Sequence, residues 1–197
     1  YTTIQSAVNA VPANASSTNP YVILVFPGVY TENVIIEKDG ISLLGMGRVV
    51  VQPSTSNDTI TIRASVSTFP LRCNLRSLII LQSNDGRSCV AITGGAGSTV
   101  GSLGITLEGC LLAPTGVGSF TVYGDTVNSV ILSSCRSDGA APTATLRFNQ
   151  CSSVRISEGS HPLVQVDYNS AGTLPSVVAS TYSFSFTTLG TTLFTLQ

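Results

Sequence analysis

The chain has little charge, and this scarcity excludes several classes of protein. Only 10% of its 197 residues are Asp, Glu, Lys or Arg, the formal net charge is −1, and Lys38 is the only lysine. No nucleic-acid partner is expected, because binding to phosphates needs clustered basic side chains. No membrane span is expected either, because no apolar run reaches the length of about 18 residues that a spanning helix needs.

Side chains that commonly bind metals or carry out catalysis are also rare. The chain has one His, no Trp and five Cys, and no two Cys have the Cys-x-x-Cys spacing of a zinc site. The ten carboxylates are scattered, and no motif joins His161 to a nucleophile. The sequence therefore predicts no catalytic group, no metal site and no cofactor.

Apolar residues, in contrast, are plentiful. They form 43% of the sequence, which excludes a disordered chain, and the length suffices for one sizeable core. Because the first residue is Tyr1 rather than Met, we expect a domain of a longer protein, and targeting signals give no localisation. The sequons at Asn14 and Asn57 would be used only in a secretory pathway.

One segment near the N-terminus has the pattern of a helix. Its apolar positions recur at i, i+3, i+4 and i+7, and they are Ile4, Ala7, Val8 and Val11. Thr2 or Thr3 can cap the N-terminal end, and Pro12 terminates the pattern. A helix is thus predicted over residues 3–11.

The rest of the chain repeats a short β pattern of a small residue followed by two apolar residues at alternate positions. The copies start at Gly40, Ser77, Gly104, Ser129, Ser153 and Ser176, with the last five 27, 25, 24 and 23 residues apart. A second set of strands lies between them and starts at Ile60, Val90, Phe120 and Thr145. Since strands alternate their side chains, only stacking of the repeats buries the inward half.

Several short strands in a period of about 24 residues are typical of an all-β fold, the single-stranded right-handed parallel β-helix. We predict this fold for residues 1–180, with residues 1–12 as a helical cap on the core and a separate capping or oligomerisation segment at residues 181–197. Cys110 and Cys135 both follow a repeat start by six residues, so they are predicted to stack on adjacent coils. They could form a disulfide or stay a reduced buried pair.

The first 48 residues resemble a known family. Tyr1–Pro12, Tyr21–Ile36 with its Phe-Pro-Gly-Val-Tyr-Thr-Glu sequence, and Gly40–Gly47 are similar to the first coil of the pectin methylesterases, in the pectin-lyase-like superfamily. The resemblance implies a right-handed parallel β-helix.

The catalytic motifs that this resemblance would imply are absent. The family uses two Asp as nucleophile and acid/base, Gln in an oxyanion hole and an Arg on a strand. The best counterparts are Arg87–Thr93, which lacks the motif's Gln and its final Arg, and Gly109–Thr115, which lacks the Asp. Asp138 lies in a turn pattern rather than a strand, so no catalytic residue carries over.

One face of the second strand set is a candidate contact surface. Its members are Arg63, Thr93, Tyr123 and Arg147, predicted to stack outward on successive coils, with Asp125 and Asp167 close by. An outward aromatic ring beside Arg is a candidate contact for a sugar or a partner protein. Ordinary solvated surface is the alternative.

The C-terminal segment alternates apolar and polar residues with almost no charge. The candidate oligomer contacts are Phe184, Phe186, Leu189, Leu193, Phe194 and Leu196. A segment of this kind either covers the strand edges at the end of a β-helix or associates with identical copies around a threefold axis.

Low charge, abundant Ser and Thr and an apolar β terminus resemble the stalk and spike modules of virus particles, which are usually homotrimers. We therefore favour a non-catalytic, homotrimeric structural or attachment module of a virion or an extracellular surface. The first alternative is a carbohydrate-active enzyme, or an inactive descendant of a pectinesterase-like enzyme, that acts on or binds a polysaccharide. The second is a monomeric cell-surface module that binds carbohydrate. The possible partners besides further copies of the chain are a polysaccharide or a host-surface glycan. The first alternative would need paired carboxylates, which the sequence does not offer.

Overall fold

The computed structural model describes residues 1–64, 71–94, 103–127, 129–138, 146–149, 151 and 153–159, and the strands within 163–167, 176–180, 185–189 and 193–196. The helix α1 (Ile4–Ala10) comes first. The strands that follow are β1 (Tyr21–Val25), β2 (Gly28–Thr31), β3 (Val34–Ile36), β4 (Ile41–Gly45), β5 (Val49–Gln52), β6 (Ile60–Arg63), β7 (Leu71–Arg76), β8 (Ile79–Gln82), β9 (Ser88–Thr93), β10 (Leu103–Glu108), β11 (Leu111–Pro114), β12 (Phe120–Asp125), β13 (Ser129–Ser133), β14 (Arg136–Ser137), β15 (Leu146–Asn149), β16 (Ser153–Ser157), β17 (Leu163–Asp167), β18 (Ser176–Ser180), β19 (Ser185–Leu189) and β20 (Leu193–Leu196).

These strands form three parallel sheets, and the chain visits each sheet once in the first five coils. In the later coils, the described strands belong to the first and third sheets. The first sheet has the order β1-β4-β7-β10-β13-β16-β18-β20, and the second has the order β2-β5-β8-β11-β14. The third has the order β3-β6-β9-β12-β15-β17-β19. This topology is a parallel β-helix, so the predicted all-β fold is confirmed. The division of the chain at residue 180 stays a prediction.

The core consists of rows of apolar side chains that stack from coil to coil. One row of the first sheet contains Ile41, Cys73, Ile105, Val130 and Val154, and the next contains Leu43, Leu75, Leu107, Leu132 and Ile156. All ten side chains are at most 2% exposed. Full burial stabilises each of the larger ones by about 1.5–3 kcal/mol. Neighbouring coils therefore bury one another's inner faces, as the repeat pattern predicts.

Five of the six predicted repeat copies lie in the first sheet, and the copies that start at Gly104, Ser129, Ser153 and Ser176 pair in register. The copy at Ser77 is wrong, because β7 takes its place in the first sheet and the apolar run after Ser77 enters β8 in the second sheet. In β7, buried residues alternate with exposed Arg and Asn. The repeat pattern therefore selected the apolar run of β8 instead of β7, whose outward positions are polar.

The corner between the first and second sheets turns through a left-handed residue in four successive coils. These residues are Ser77, Gly109, Ser134 and Glu158, with φ between 52° and 59°. The backbone N–H groups of the first three each donate to a carbonyl of the next coil, at 2.9 Å. Because three of the four residues have a Cβ, the corner holds a conformation that is costly for them, and the continuous ladder of hydrogen bonds stabilises it.

The predicted N-terminal helix is confirmed, and it packs on the first coil. Thr3 is the N-cap, and its side chain accepts a hydrogen bond from the backbone N–H of Ser6 at 3.1 Å. Ile4 and Val8 point into the core and are buried. The helix therefore covers the apolar end of the core next to the first coil.

Two charged residues of the first coil hold α1 at its ends. The Glu32 carboxylate accepts hydrogen bonds from the backbone N–H groups of Ile4 and Gln5, both at 2.8 Å. Lys38 Nζ donates to three backbone carbonyl oxygens at the C-terminal end of the helix. An anion at the N-terminus and a cation at the C-terminus satisfy unpaired backbone groups and complement the helix dipole.

We predict that Glu32→Ala lowers the free energy of unfolding by about 2 kcal/mol, because two backbone N–H groups lose a charged acceptor. Urea unfolding measures the change, and hydrogen exchange should become faster at the amides of Ile4 and Gln5. Arg136→Ala is the control, since its ion pair with Asp138 spans 3.4 Å on the surface and contributes little. Equal effects of the two substitutions would contradict the role of Glu32.

Candidate binding surface

The candidate contact residues lie on the outer face of the third sheet, but in two rows rather than one. Arg63 aligns with Thr93, and Thr93 aligns with Asp125. Tyr123 aligns with Arg147 on one side and with Ala91 on the other. The prediction of a single stack is therefore wrong.

The error comes from the phase of β12. Val122, not Phe120, aligns with Val90 of β9, so the strand is displaced by two residues relative to the prediction. A shift of two residues keeps Tyr123 on the expected face, because strands alternate with a period of two. The sequence thus predicted the outer face of the third sheet correctly, but not which residues of adjacent coils lie side by side on it. The backbone pairing places Asp167 in the row of Arg63, Thr93 and Asp125. The side chain of Asp167 lies outside the described residues.

Phe120, Tyr123 and Arg147 form a group that we call the aromatic cluster. The rings of Phe120 and Tyr123 have centroids 6.0 Å apart at an interplanar angle of 39°. The guanidinium carbon of Arg147 lies 5.7 Å from the centroid of the Phe120 ring, within the range of a cation–π contact. The cluster offers a ligand ring faces and N–H donors next to each other.

The sequence did not predict that Phe120 belongs to this cluster. Strict alternation would place Phe120 and Tyr123, three residues apart, on opposite faces of the strand. Between them Thr121 and Val122 are both fully buried, so the alternation is broken at this point of β12. Nothing in the local sequence marks this break.

The other row contains a surface ion pair. Arg63 Nε lies 2.6 Å from Glu37 Oε1, and both side chains are about half exposed. Further along the row, Asp125 accepts a hydrogen bond from the Thr126 hydroxyl at 3.5 Å. These charges are therefore engaged with neighbours of their own chain, and an exposed pair of this kind contributes little stability.

Nine of the ten carboxylates belong to side chains that the structure describes, and each of the nine has a partner. Glu32, Asp39, Asp58 and Asp85 accept hydrogen bonds from backbone N–H groups. Glu37, Glu108 and Asp138 pair with arginines, and Asp125 and Glu158 accept from hydroxyl groups. The acidic residues thus fasten loops and coils to one another. Within the same residues, no group of three His, Cys, Asp or Glu is placed to bind a metal ion.

The five cysteines are free buried thiols that pack in the core. Cys110 and Cys135 directly precede the aligned residues Leu111 and Arg136, which confirms that they stack on adjacent coils. The hydrogen bond to Cys135, together with burial, raises the pKa of the Cys110 thiol. Burial raises the pKa of the Cys73 and Cys151 thiols to about 12. Because the thiolate is the reactive form, the protonated thiols of Cys73, Cys110 and Cys151 act as core residues.

For several residues that the sequence analysis singled out, the structure does not describe the side chain. His161 and Phe184 lie outside the described residues. Phe186 and Leu189 belong to β19, which pairs with β17, and the remaining three candidate oligomer contacts belong to β20, which pairs with β18. These C-terminal strands continue the third and first sheets, and their side chains lie outside the described residues. Among the described residues, no helix has the length and apolarity that crossing a bilayer requires.

Comparison with known proteins gives structural likeness without sequence likeness. No family model and no curated protein matches the sequence. A pectin methylesterase solved with a hexasaccharide is 17% identical, with a TM-score of 0.45, over 96% of this chain and 63% of that one. ORF18 of Geobacillus virus E2 is 13% identical, with a TM-score of 0.49, over 98% of this chain and 57% of that one. Pectin methylesterase PemA from Erwinia chrysanthemi is 19% identical, with a TM-score of 0.40, over 93% and 69%.

The chain therefore spans less than two thirds of the first two of these structures. At such identities the likeness concerns the fold alone.

We predict that Cys73→Val flattens the dependence of stability on alkaline pH. The folded protein keeps the Cys73 proton up to a pKa of about 12, whereas the unfolded chain releases it from about pH 9. Stability is therefore complete below pH 9 and falls as the pH rises towards 12, by up to about 1.4 kcal/mol per pH unit for each such thiol.

Urea unfolding between pH 8 and pH 11 measures this slope in both proteins. The variant should lose less stability than the natural chain over that range, because the two proteins differ only in the Cys73 thiol. Parallel curves would show that Cys73 is ionised in the folded protein or is not protected by burial.

Proposed function

We propose that the chain is a non-catalytic structural or attachment module with a parallel β-helix fold, assembled as a homotrimer in a spike-like or fibre-like part of a virion or on another extracellular surface. The observation that carries the proposal is the use of the carboxylates. All nine with described side chains accept structural hydrogen bonds or pair with Arg. Acid and base groups are thus committed to holding the coil together.

The composition of the outer surface supports the same proposal. The outward positions of the first sheet carry mostly Ser, Thr, Asn and Arg side chains, such as the Asn74 amide that donates to the Ser42 hydroxyl at 3.1 Å. Spike modules also have low charge and abundant hydroxyl groups, and the assignment to a virion rests on this analogy. The homotrimer rests on β19 and β20, the outermost described strands of the third and first sheets, because uncharged outer strands favour association with other strands.

We predict that the full chain has a mass in solution of three times 20.4 kDa at low concentration, and that a chain ending at Ser180 is monomeric. The truncation removes β19 and β20, through which the three copies would associate. Light scattering measures both masses, and circular dichroism checks that the shortened chain is folded. A monomeric full chain would contradict the trimer whatever the truncated chain does.

A second candidate function is polysaccharide binding on the third sheet, and the aromatic cluster favours it. Aromatic rings stack on the apolar faces of sugars, and the Arg147 guanidinium beside the Phe120 ring can bind a carboxylate or hydroxyl group. A ligand with repeated sugar units would lie along the coil axis, since the two rows of this face run in that direction.

We predict that Tyr123→Ala weakens binding to such a polysaccharide by about tenfold, as expected for the loss of one aromatic contact. Affinity electrophoresis in gels containing polygalacturonate or dextran measures the retardation, and the two polymers separate acidic from neutral sugars. Arg76→Ala, on the first sheet, is the matched surface control. Equal retardation of the natural chain and both variants would exclude the aromatic cluster as the binding site.

A further inference from the structure

The N-terminal end of the β-helix has three sheet edges, and α1 protects one of them. β3 ends the third sheet, and its outer residue Ile35 is paired by the side chain of Gln5. The Gln5 amide donates to the Ile35 carbonyl at 3.1 Å and accepts from the Ile35 N–H at 2.6 Å. One side chain thus replaces the missing neighbouring strand.

The edge of the first sheet, β1, has no such protection. Tyr21 donates to the Gly40 carbonyl and Val25 accepts from the Met46 N–H, both at 2.8 Å. In a parallel ladder these bonds place the N–H and C=O groups of alternate residues towards β4, so those of Val22 and Leu24 point away from the sheet. In the part of the chain that the structure describes, these four groups have no hydrogen-bond partner.

The side chains of β1 add an apolar surface to this open edge. Val22 is 58% exposed, Leu24 is 50% exposed and the adjacent Phe26 is 66% exposed. A groove of about 450 Å³ runs between α1 and β1, and none of its lining residues is charged. Exposed edge strands normally carry a charge, a proline or a bulge that prevents pairing, and residues 21–25 contain neither a charge nor a proline. The edge therefore has the properties of a pairing site.

We propose that β1 binds β1 of a second copy of this chain, as antiparallel strands around a twofold axis at Ile23. This contact goes beyond the proposed function and does not depend on the C-terminal strands. It would extend the first sheet from one copy into the next.

The twofold arrangement satisfies every open group of the edge. With Ile23 opposite Ile23 of the second copy, Val22 lies opposite Leu24 and Leu24 lies opposite Val22. The two outward-facing residues of each copy then form two hydrogen-bonded pairs, with four N–H···O=C bonds in total. No other register of two identical β1 strands pairs both residues.

The chemistry of the edge also favours a second copy as the occupant. The two edges that meet are uncharged, so no like charges oppose each other in a self-complementary contact. Val22 and Leu24 of one copy would cover Leu24 and Val22 of the other on the outer face, which removes the exposed apolar surface from water. A twofold contact uses the same surface on both copies, so by itself it joins two copies and cannot continue into a fibre.

The first test is sedimentation velocity over a range of concentrations. The natural chain should double its mass with increasing concentration, and Leu24→Lys should weaken this association by about 100-fold, because it buries a charge in an apolar contact. Val22→Pro should act similarly, because it removes an edge-facing N–H and leaves the ladder to β4 intact. Val117→Lys is the control, since Val117 is 78% exposed and lies outside β1.

The second test reports the register. In Ile23→Cys, the introduced thiols would face each other in a non-hydrogen-bonded pair with Cα atoms about 4.5 Å apart, so oxidised glutathione should convert them to a disulfide-linked dimer. In Leu24→Cys the two thiols lie apart, and little dimer should form on a non-reducing gel. The natural chain, with five buried thiols, gives the background.

These two tests examine the β1 contact independently of the proposed homotrimer. Loss of the doubling in Leu24→Lys, together with cross-linking of Ile23→Cys, supports it whether the smaller species is a monomer or a trimer. A mass that does not change with concentration, or that Leu24→Lys leaves unaltered, overturns it. Weaker association in Leu24→Lys without cross-linking of Ile23→Cys overturns the twofold register.

Discussion

The whole molecule depends on the alignment of each coil with the next. A single coil cannot bury its inner face or pair its strand edges, so the two neighbouring coils supply both. The inward rows of the first sheet and the hydrogen-bonded corner through Ser77, Gly109 and Ser134 follow from this alignment. The coils approach so closely that a Cβ on Gly45 would collide with the carbonyl oxygen of Ser77. Tight stacking therefore constrains the residues at corners as well as those in the core.

The same constraint explains how a chain with so few charges uses them. Some loop N–H groups that lack a backbone partner bind a carboxylate, as Ser88 does with Asp58 and Val117 does with Asp85. Others bind an amide oxygen, as Thr55 does with that of Asn33. At the N-terminal end, where α1 packs on the first coil, Glu32 of that coil satisfies backbone N–H groups of the helix. Four of the nine carboxylates with described side chains are thus placed where stacking alone leaves backbone N–H groups unsatisfied.

The sequence predicted the features that depend on the repeat length, but not those that depend on how each strand aligns with its neighbour in the next coil. The repeat of about 24 residues, the helix at residues 3–11 and the stacking of Cys110 on Cys135 all follow from spacing. The place of β7 and the register of β12 did not, because the loops between strands vary in length and a shift of two residues leaves the apolar pattern unchanged. Phe120 was missed for a related reason, since a break in alternation has no local mark. The contact of Glu32 with α1 spans 28 residues, and no local pattern contains it.

The sides of the β-helix carry charged side chains, whereas the β1 edge at its N-terminal end carries none. The sides carry ion pairs across adjacent coils, as Arg63 with Glu37 and Arg76 with Glu108 show, and these charges keep the sheet faces soluble. The edge at β1 has none, although a single lysine there would suffice to prevent pairing. An uncharged apolar edge is a liability for a chain that stays alone, because it can join any free strand. It is an advantage only where a partner covers it, and the absence of charge at β1 therefore supports the proposed contact at this end rather than one through the charged sides.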